Sequence, residues 1–201
     1  MNDYHGYVLQ GDRFIGSFEQ MYRDCSDPWQ QDAVERLSEE VALSLLGRRT
    51  HRRVLDLGCG KGRFTHLLKQ ATGASVTALD VSPTAVQAAE SRYPGIRFLA
   101  AEVPPLPFPD GEFDLVVAAE LLWYVLPKLG ELFSEVRRVL SNSGRFLILQ
   151  TFYQPGQQRY GREVMASPAD LLRMLPFDLL HQVECDRLSN YKWVGLCQKP
   201  A

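Results

Sequence analysis

The sequence lacks most of what would take a protein outside ordinary globular chemistry. No apolar run approaches the ~20 residues of a bilayer span, so no membrane helix is expected. Only four cysteines occur in 201 residues (Cys25, Cys59, Cys185 and Cys197), widely spaced and without a Cys-x-x-Cys pair. That excludes a disulfide framework and a zinc ribbon, leaves no metal site to expect, and fits free thiols in a reducing cytoplasm. An excess of one charge sign is missing too. Lys and Arg number 22 against 24 Asp and Glu, a net −2, which provides no electrostatic footprint for nucleic acid or an anionic membrane. There is no internal repeat and no low-complexity linker, and the polar start Met1–Gly6 does not read as a signal peptide. No feature sets an oligomeric state.

What remains is an ordinary globular composition, 45% hydrophobic and 23% charged, in a length that suits one domain. Phe14, Phe18, Met21 and Tyr22 recur at helical spacing over residues 13–23. Asp27-Pro28 reads as an N-cap followed by a first-turn proline. From there Val34, Leu37, Val41, Leu45 and Leu46 mark a long amphipathic helix ending at Gly47, so residues 1–47 are expected to form a helical extension. The period changes over residues 48–201. Short apolar runs at 54–57, 75–79, 96–100, 113–118 and 145–151 read as strands, the fourth almost continuously apolar and hence buried on both faces. Helical patterns occupy 63–71, 83–91, 126–140 and 168–175. Segments 182–187 and 191–198, split by Leu188-Ser189-Asn190, suggest a closing antiparallel hairpin. Strands alternating with helices imply an α/β three-layer sandwich around a mostly parallel sheet.

The first of these strands runs into Gly58-Cys59-Gly60-Lys61-Gly62 and then a helix. Glycines there let backbone turn sharply and approach a ligand at a helix N-terminus. Arg63 stands where a dinucleotide loop, Gly-x-Gly-x-x-Gly, needs its last glycine, which disfavours a nicotinamide oxidoreductase. Asp56, two residues before the first glycine, is ill suited to a pyrophosphate and well suited to a cationic sulfonium cofactor with an amino group. It either meets that ligand or orders the loop amides. Asp80 ends the second strand, twenty residues after Gly60, where a carboxylate can take both hydroxyls of a ribose. Glu102 follows the third strand, placed to accept from an adenine amino group while the Val103 amide donates to the ring.

Val54–Gly62 with Asp80, Glu102 and Phe113–Glu120 resembles motifs I to IV of the class I S-adenosylmethionine-dependent methyltransferases, over roughly residues 50–150. The resemblance implies a Rossmann-like seven-stranded sheet with a C-terminal antiparallel hairpin and S-adenosylmethionine as cofactor. It also implies cofactor contacts from Asp56, Gly58, Cys59, Gly60, Asp80, Val81, Glu102, Val103 and Glu120. The family more often carries Asp where Glu102 stands, a shorter side chain. The N-terminal helix of this family commonly closes the site, which makes Tyr22 and Trp29 lid residues over the cofactor or a staple of the extension to the sheet. Asp27-Pro28-Trp29 and Glu120–Leu126 resemble segments of the nodulation-factor N-methyltransferases, which methylate an amino group on a chitooligosaccharide.

Methyl transfer from a sulfonium requires an unprotonated nucleophile in line with the methyl group and shielded from water. Glu120, Tyr124 and Tyr153 are the candidates for holding or walling an acceptor, with Trp123 beside them. Packing alone is the competing role for the aromatics, and a structural role for Glu120. His5, His51, His66 and His181 sit where none reads as a catalytic base. Pro104–Gly111 should form a stiff loop over the adenine end. Residues 154–166, with Arg159 and Arg162, fall where acceptor specificity resides in this fold. A Pro-Pro-aromatic segment after the fourth strand, used to stack an extruded base, is absent, so a small molecule is the expected acceptor. The competing functions are an O-methyltransferase of a small metabolite and a non-catalytic protein that binds the same cofactor.

Overall fold

The structure, a computed structural model, describes residues 5–30, 36–154, 156–185 and 190–200. Val34 of the expected long helix, and Leu188 and Ser189 of the expected hairpin turn, lie outside the described residues. A seven-stranded sheet forms the centre: β3 (Arg53–Leu57), β4 (Ser75–Asp80), β5 (Arg97–Ala100), β6 (Phe113–Ala119), β7 (Leu140–Tyr153), β8 (Asp178–Cys185) and β9 (Asn190–Gln198), in the order β5-β4-β3-β6-β7-β9-β8. The first five strands are parallel, and β9 inserts antiparallel between β7 and β8. This is the expected Rossmann-like arrangement with its terminal hairpin.

Helices cover both faces because both faces are apolar. On one, α3 (Leu37–Leu46), α4 (Arg63–Thr72) and α5 (Pro83–Arg92) pack Leu46, Leu68, Val86 and Ala89 on Val54, Val76, Leu115 and Leu147. On the other, α6 (Leu129–Val139) and α7 (Pro168–Met174) bury Leu132, Phe133, Val136 and Leu171 against Leu55, Val116, Phe146 and Trp193. Ser82 caps α5 by accepting from the Ala85 amide at 3.1 Å, with Pro83 preset in the first turn. Among the described residues no helix is long and apolar enough to cross a membrane.

The N-terminal part departs from the expected helices. Residues 13–23 are not one helix. A short helix α1 (His5–Val8) leads into β1 (Leu9–Gln10), which pairs with β2 (Arg13–Phe14), and α2 (Phe18–Asp24) starts only after Gly16. Gly16 sits at φ +62°, and a Cβ there would lie 2.9 Å from the Phe14 ring, so the chain turns instead of continuing a helix. Of the helix expected from Asp27, α3 covers Leu37–Leu46, with Arg36 before it non-helical. Pro28 and Trp29 form a turn, and Gln30 at φ +52° takes a left-handed conformation no helix tolerates. Gly47, at φ +62°, ends α3 as expected. Two 3-10 turns, Leu122–Tyr124 and Leu126–Lys128, precede α6, which therefore starts three residues later than its apolar pattern suggests. Pro127, which has no N–H to donate, lies in the second turn.

Candidate active site

The chain reverses direction across the sheet between β3 and β6, because β4 and β5 lie to one side of β3 and β6 and β7 to the other. At such a switch point the loops beyond the strand ends diverge and leave a crevice. Here the crevice is a cavity of about 830 Å³, near the top of the range for small-molecule sites, roughly 300–1,000 Å³. It is lined by every cofactor and catalytic candidate of the sequence: Tyr22, Trp29, Asp56, Gly58, Cys59, Gly60, Asp80, Val81, Glu102, Val103, Glu120, Tyr124 and Tyr153.

Its floor is the glycine loop. The Gly58 and Cys59 amides donate to the Leu79 carbonyl at 2.8 and 2.9 Å, folding the loop onto β4. Gly58 (φ +74°) is required there, since a Cβ would lie 3.0 Å from Leu121 as well as strain the backbone. The Gly60 amide donates to Asp80 Oδ2 at 2.8 Å and the Ser82 amide to Oδ1 at 2.9 Å. Each oxygen keeps a further acceptor site, so the carboxylate that orders the loop remains able to take hydroxyls from the cavity. Val81 is exposed beside it, and the Cys59 thiol is buried and pushed well above its ordinary pKa by that burial, hence inert.

Asp56 is 2% exposed and accepts from Thr65 Oγ1 at 2.6 Å. Burial raises its carboxyl to about 6, against the hydrogen bond from Thr65 and with a smaller push from Asp80. Asp80 is raised for the same first reason, burial. Among the described residues neither carboxylate has a Lys, Arg or His within ion-pair distance. Two buried carboxylates with no cation beside them form a site short of positive charge.

The end of the cavity at Glu102 and Val103 is less closed. Glu102 is turned to the surface and pairs with Lys128 at 2.8 Å, which lowers its pKa, while Val103 is buried beside it. Pro104 and Pro105 continue past this end, and Leu106 and Phe108 bury into the core, so the segment is a fixed loop as expected.

Opposite lies the candidate acceptor chamber. Glu120, at φ +57°, takes three donors on its carboxylate: the Thr151 amide at 2.9 Å, Thr151 Oγ1 at 2.7 Å and Lys192 Nζ at 2.7 Å. Lys192 also reaches Thr151 Oγ1. Thr151 and Lys192 face each other across the β7–β9 pair, so the polar cluster is set by strand register. Trp123 is fixed by a 2.8 Å bond from its Nε1 to the Thr151 carbonyl, with Tyr153 6.0 Å from it ring to ring.

The N-terminal segment roofs the cavity. Tyr124 meets Phe18 at 5.1 Å, Trp29 at 5.8 Å and Phe14 at 6.3 Å between ring centres. Trp29 Nε1 donates to the buried Tyr22 hydroxyl at 2.8 Å. Glu19 on α2 ties the roof to the start of α5, accepting from Ser82 Oγ (2.5 Å), Thr84 Oγ1 (2.7 Å) and the Thr84 amide (3.2 Å). Those hydroxyls and that amide hold its carboxyl down near 2.

Lys192, Thr151, Phe14, Phe18, Arg36 and Ser38 line the cavity without having been read as site residues in the sequence. Only the aromatic pair carried a signal, the helical spacing that also picked out Tyr22. His51 and His66 lie elsewhere: His66 stacks on Tyr93, and His51 is buried near Asp114 with both ring nitrogens lacking a hydrogen bond. Among the described residues no three His, Cys, Asp or Glu side chains gather as a metal site.

A model of the family described as a methyltransferase domain matches residues 55–148, the segment that builds this cavity floor. The chain belongs to the class I S-adenosylmethionine-dependent methyltransferases. It is 31% identical over 173 residues to an O-methyltransferase of Aspergillus nomiae, covering 78% of this chain and 75% of that protein. It is 34% identical over 135 residues to a malonyl-[acyl-carrier protein] O-methyltransferase of a Paenibacillus species, covering 60% of this chain and 48% of that one. The chain spans between 43% and 62% of the length of the first curated relatives it matches. Its fold is shared with the N-methyltransferase NodS of Bradyrhizobium japonicum bound to S-adenosylhomocysteine. That match has a TM-score of 0.75 at 21% identity and covers 91% and 98% of the two chains.

Proposed function

We propose that this chain transfers the methyl group of S-adenosylmethionine to the nitrogen of a small amine, with an amino sugar the first candidate. The observation that carries this reading is the composition of the acceptor chamber. Among the described residues no histidine lines the cavity, and its carboxylates other than Asp56 and Asp80 are already engaged, Glu39 by Arg63, Glu102 by Lys128, and Glu120 by Thr151 and Lys192. A hydroxyl acceptor needs a base to become a nucleophile, whereas an unprotonated amine attacks with its own lone pair.

The bound cofactor supplies an activated methyl group and a neutral thioether leaving group. In this reading Asp56 and Asp80 balance its positive charge and orient it, and the aromatic roof of Phe18, Trp29 and Tyr124 excludes water. Glu120, Tyr124 and Tyr153 position the acceptor. Sequence support comes from the likeness of Asp27–Trp29 and Glu120–Leu126 to the nodulation-factor enzymes. Oxygen is the second reading, favoured by the O-methyltransferase names of two relatives.

The test is a panel of amino sugars, small amines and phenols incubated with methyl-labelled cofactor. Label on amines, with phenols unlabelled, is the expected result. Label confined to phenols overturns the nitrogen reading and leaves the oxygen one. No label on any compound, from protein that binds S-adenosylhomocysteine, favours the non-catalytic binder.

A further inference from the structure

Thr151, Tyr153, Asn190 and Lys192 all line the cavity. Thr151 stands opposite Lys192 in the β7–β9 ladder, and Tyr153 opposite Asn190. Side chains two apart on a strand share a face, so these four polar residues form one patch, two from each strand. Glu120, just past the end of β6, joins the patch through both donors of Thr151.

Glu120 holds that place under strain. A non-glycine residue at φ +57° lies about 1–3 kcal/mol above an ordinary backbone conformation and persists only where its surroundings over-determine it. Here Thr151 and Lys192 do so. The next residue, Leu121, is the one that a Cβ on Gly58 would meet at 3.0 Å, so the strained carboxylate adjoins the glycine loop.

The hydrogen-bonding capacity of the ion pair is not exhausted. An ammonium has three N–H donors; Lys192 gives one to Glu120 Oε1 and one to Thr151 Oγ1. A carboxylate oxygen accepts about two hydrogen bonds. Oε2 takes the Thr151 amide and hydroxyl, whereas among the described residues Oε1 takes only Lys192. One donor and one acceptor therefore remain, on atoms 2.7 Å apart. The Lys192 and Glu120 side chains are 21% and 31% exposed, which leaves both within reach of a ligand in the cavity. Their charges cancel, which favours a neutral group over a carboxylate or an ammonium. A hydroxyl is the small neutral group that donates and accepts at a single atom.

We propose that the acceptor is a 1,2-amino alcohol whose hydroxyl binds between Lys192 and Glu120, its oxygen accepting from Nζ and its O–H donating to Oε1. The inference rests on the nitrogen reading above and makes Lys192 a specificity-determining residue. The bound hydroxyl holds the neighbouring nitrogen beside the glycine loop, and the ion pair takes no proton from it. An amino sugar with a hydroxyl next to its amine is one member of this class.

Steady-state methylation of three probes by the full chain tests it: trans-2-aminocyclohexanol, its methyl ether and cyclohexylamine. The ether keeps the oxygen and its electron withdrawal but has no O–H to donate. Wild-type protein should methylate the alcohol with a kcat/KM about tenfold above that of either other probe, mostly through KM, the scale of a hydrogen bond to a charged group. Lys192→Met should cut the alcohol's advantage over cyclohexylamine about tenfold, a comparison between proteins that cancels the different basicity of the two amines. Calorimetry with S-adenosylhomocysteine checks that the variant is folded. Equal kcat/KM for alcohol and ether in wild-type protein overturns the proposal, as does an advantage that survives Lys192→Met. If the variant does not fold, the wild-type comparison decides alone. Label on other amines but on none of these three refutes the proposal and leaves the nitrogen reading standing. Label on no amine at all removes both.

Discussion

Replacing Asp56 by Asn should stabilise the ligand-free protein while damaging its function. Burial moves this carboxyl from 3.8 to about 6, so at neutral pH the ionised group opposes folding by about 3 kcal/mol at 1.36 kcal/mol per pH unit. An asparagine keeps an oxygen for Thr65 Oγ1 but buries an NH2 with no built partner, a cost of about 1 kcal/mol or more. The net gain is about 2 kcal/mol at pH 7.5, roughly 4–8 °C in Tm for a chain of this size. Its pH dependence has a definite sign. Between pH 4 and 6 the native wild type holds more protons than the unfolded chain, so its stability falls as pH rises through that window. The variant lacks this slope, and its advantage should vanish near pH 4. Thermal melts of both proteins from pH 4 to pH 7.5 measure the gap, and calorimetry should show S-adenosylhomocysteine binding weakened about tenfold, a lost charged partner for the tail ammonium. A variant no more stable than wild type at pH 7.5, or a gap that does not close on acidification, refutes the buried-charge reasoning.

Other substitutions separate backbone from ligand effects. Asp80→Asn should reduce S-adenosylhomocysteine affinity by about tenfold or more, the cost of losing charge-assisted hydrogen bonds; unchanged calorimetric affinity removes Asp80 from the ribose role. Gly62→Ala places a Cβ at φ +80°, 2.8 Å from the Phe98 ring and 3.1 Å from Ala89. It should destabilise by about 2–3 kcal/mol in denaturant melts through overpacking and strain. Gly73→Ala, left-handed at φ +65° with nothing within 4 Å, should cost only the backbone term, about 1 kcal/mol. Equal effects at the two positions contradict the close approach of Phe98.

Between Arg53 and Gln198 the pattern of residues states the fold almost directly, because each strand is a short apolar run and each helix carries a stripe. The N-terminal part was less legible. Phe14, Phe18 and Tyr22 do share one apolar cluster, as their spacing implies, but Gly16 and Gln30 take left-handed conformations that break the helices the spacing suggests. A glutamine carries no local signal for that, and tertiary contacts decide it. The carboxylates of the site were legible because each lies at or just beside a strand end. Lys192 was not, since it reaches Glu120 across 72 positions only through the β9–β7 pairing. Arg36 and Ser38 were hidden for a related reason: their helix was expected to begin at Asp27, which places both in its interior and gives neither an exposed end.

The cofactor reading rests on Asp56, Asp80 and the glycine loop favouring a sulfonium nucleoside over a dinucleotide, and a thermal-shift comparison decides it. S-adenosylhomocysteine at about one hundred times a micromolar-range Kd should stabilise the fold by about 2.7 kcal/mol and raise Tm by roughly 5–10 °C, with NAD leaving it unchanged. A rise with NAD and none with S-adenosylhomocysteine contradicts the reading.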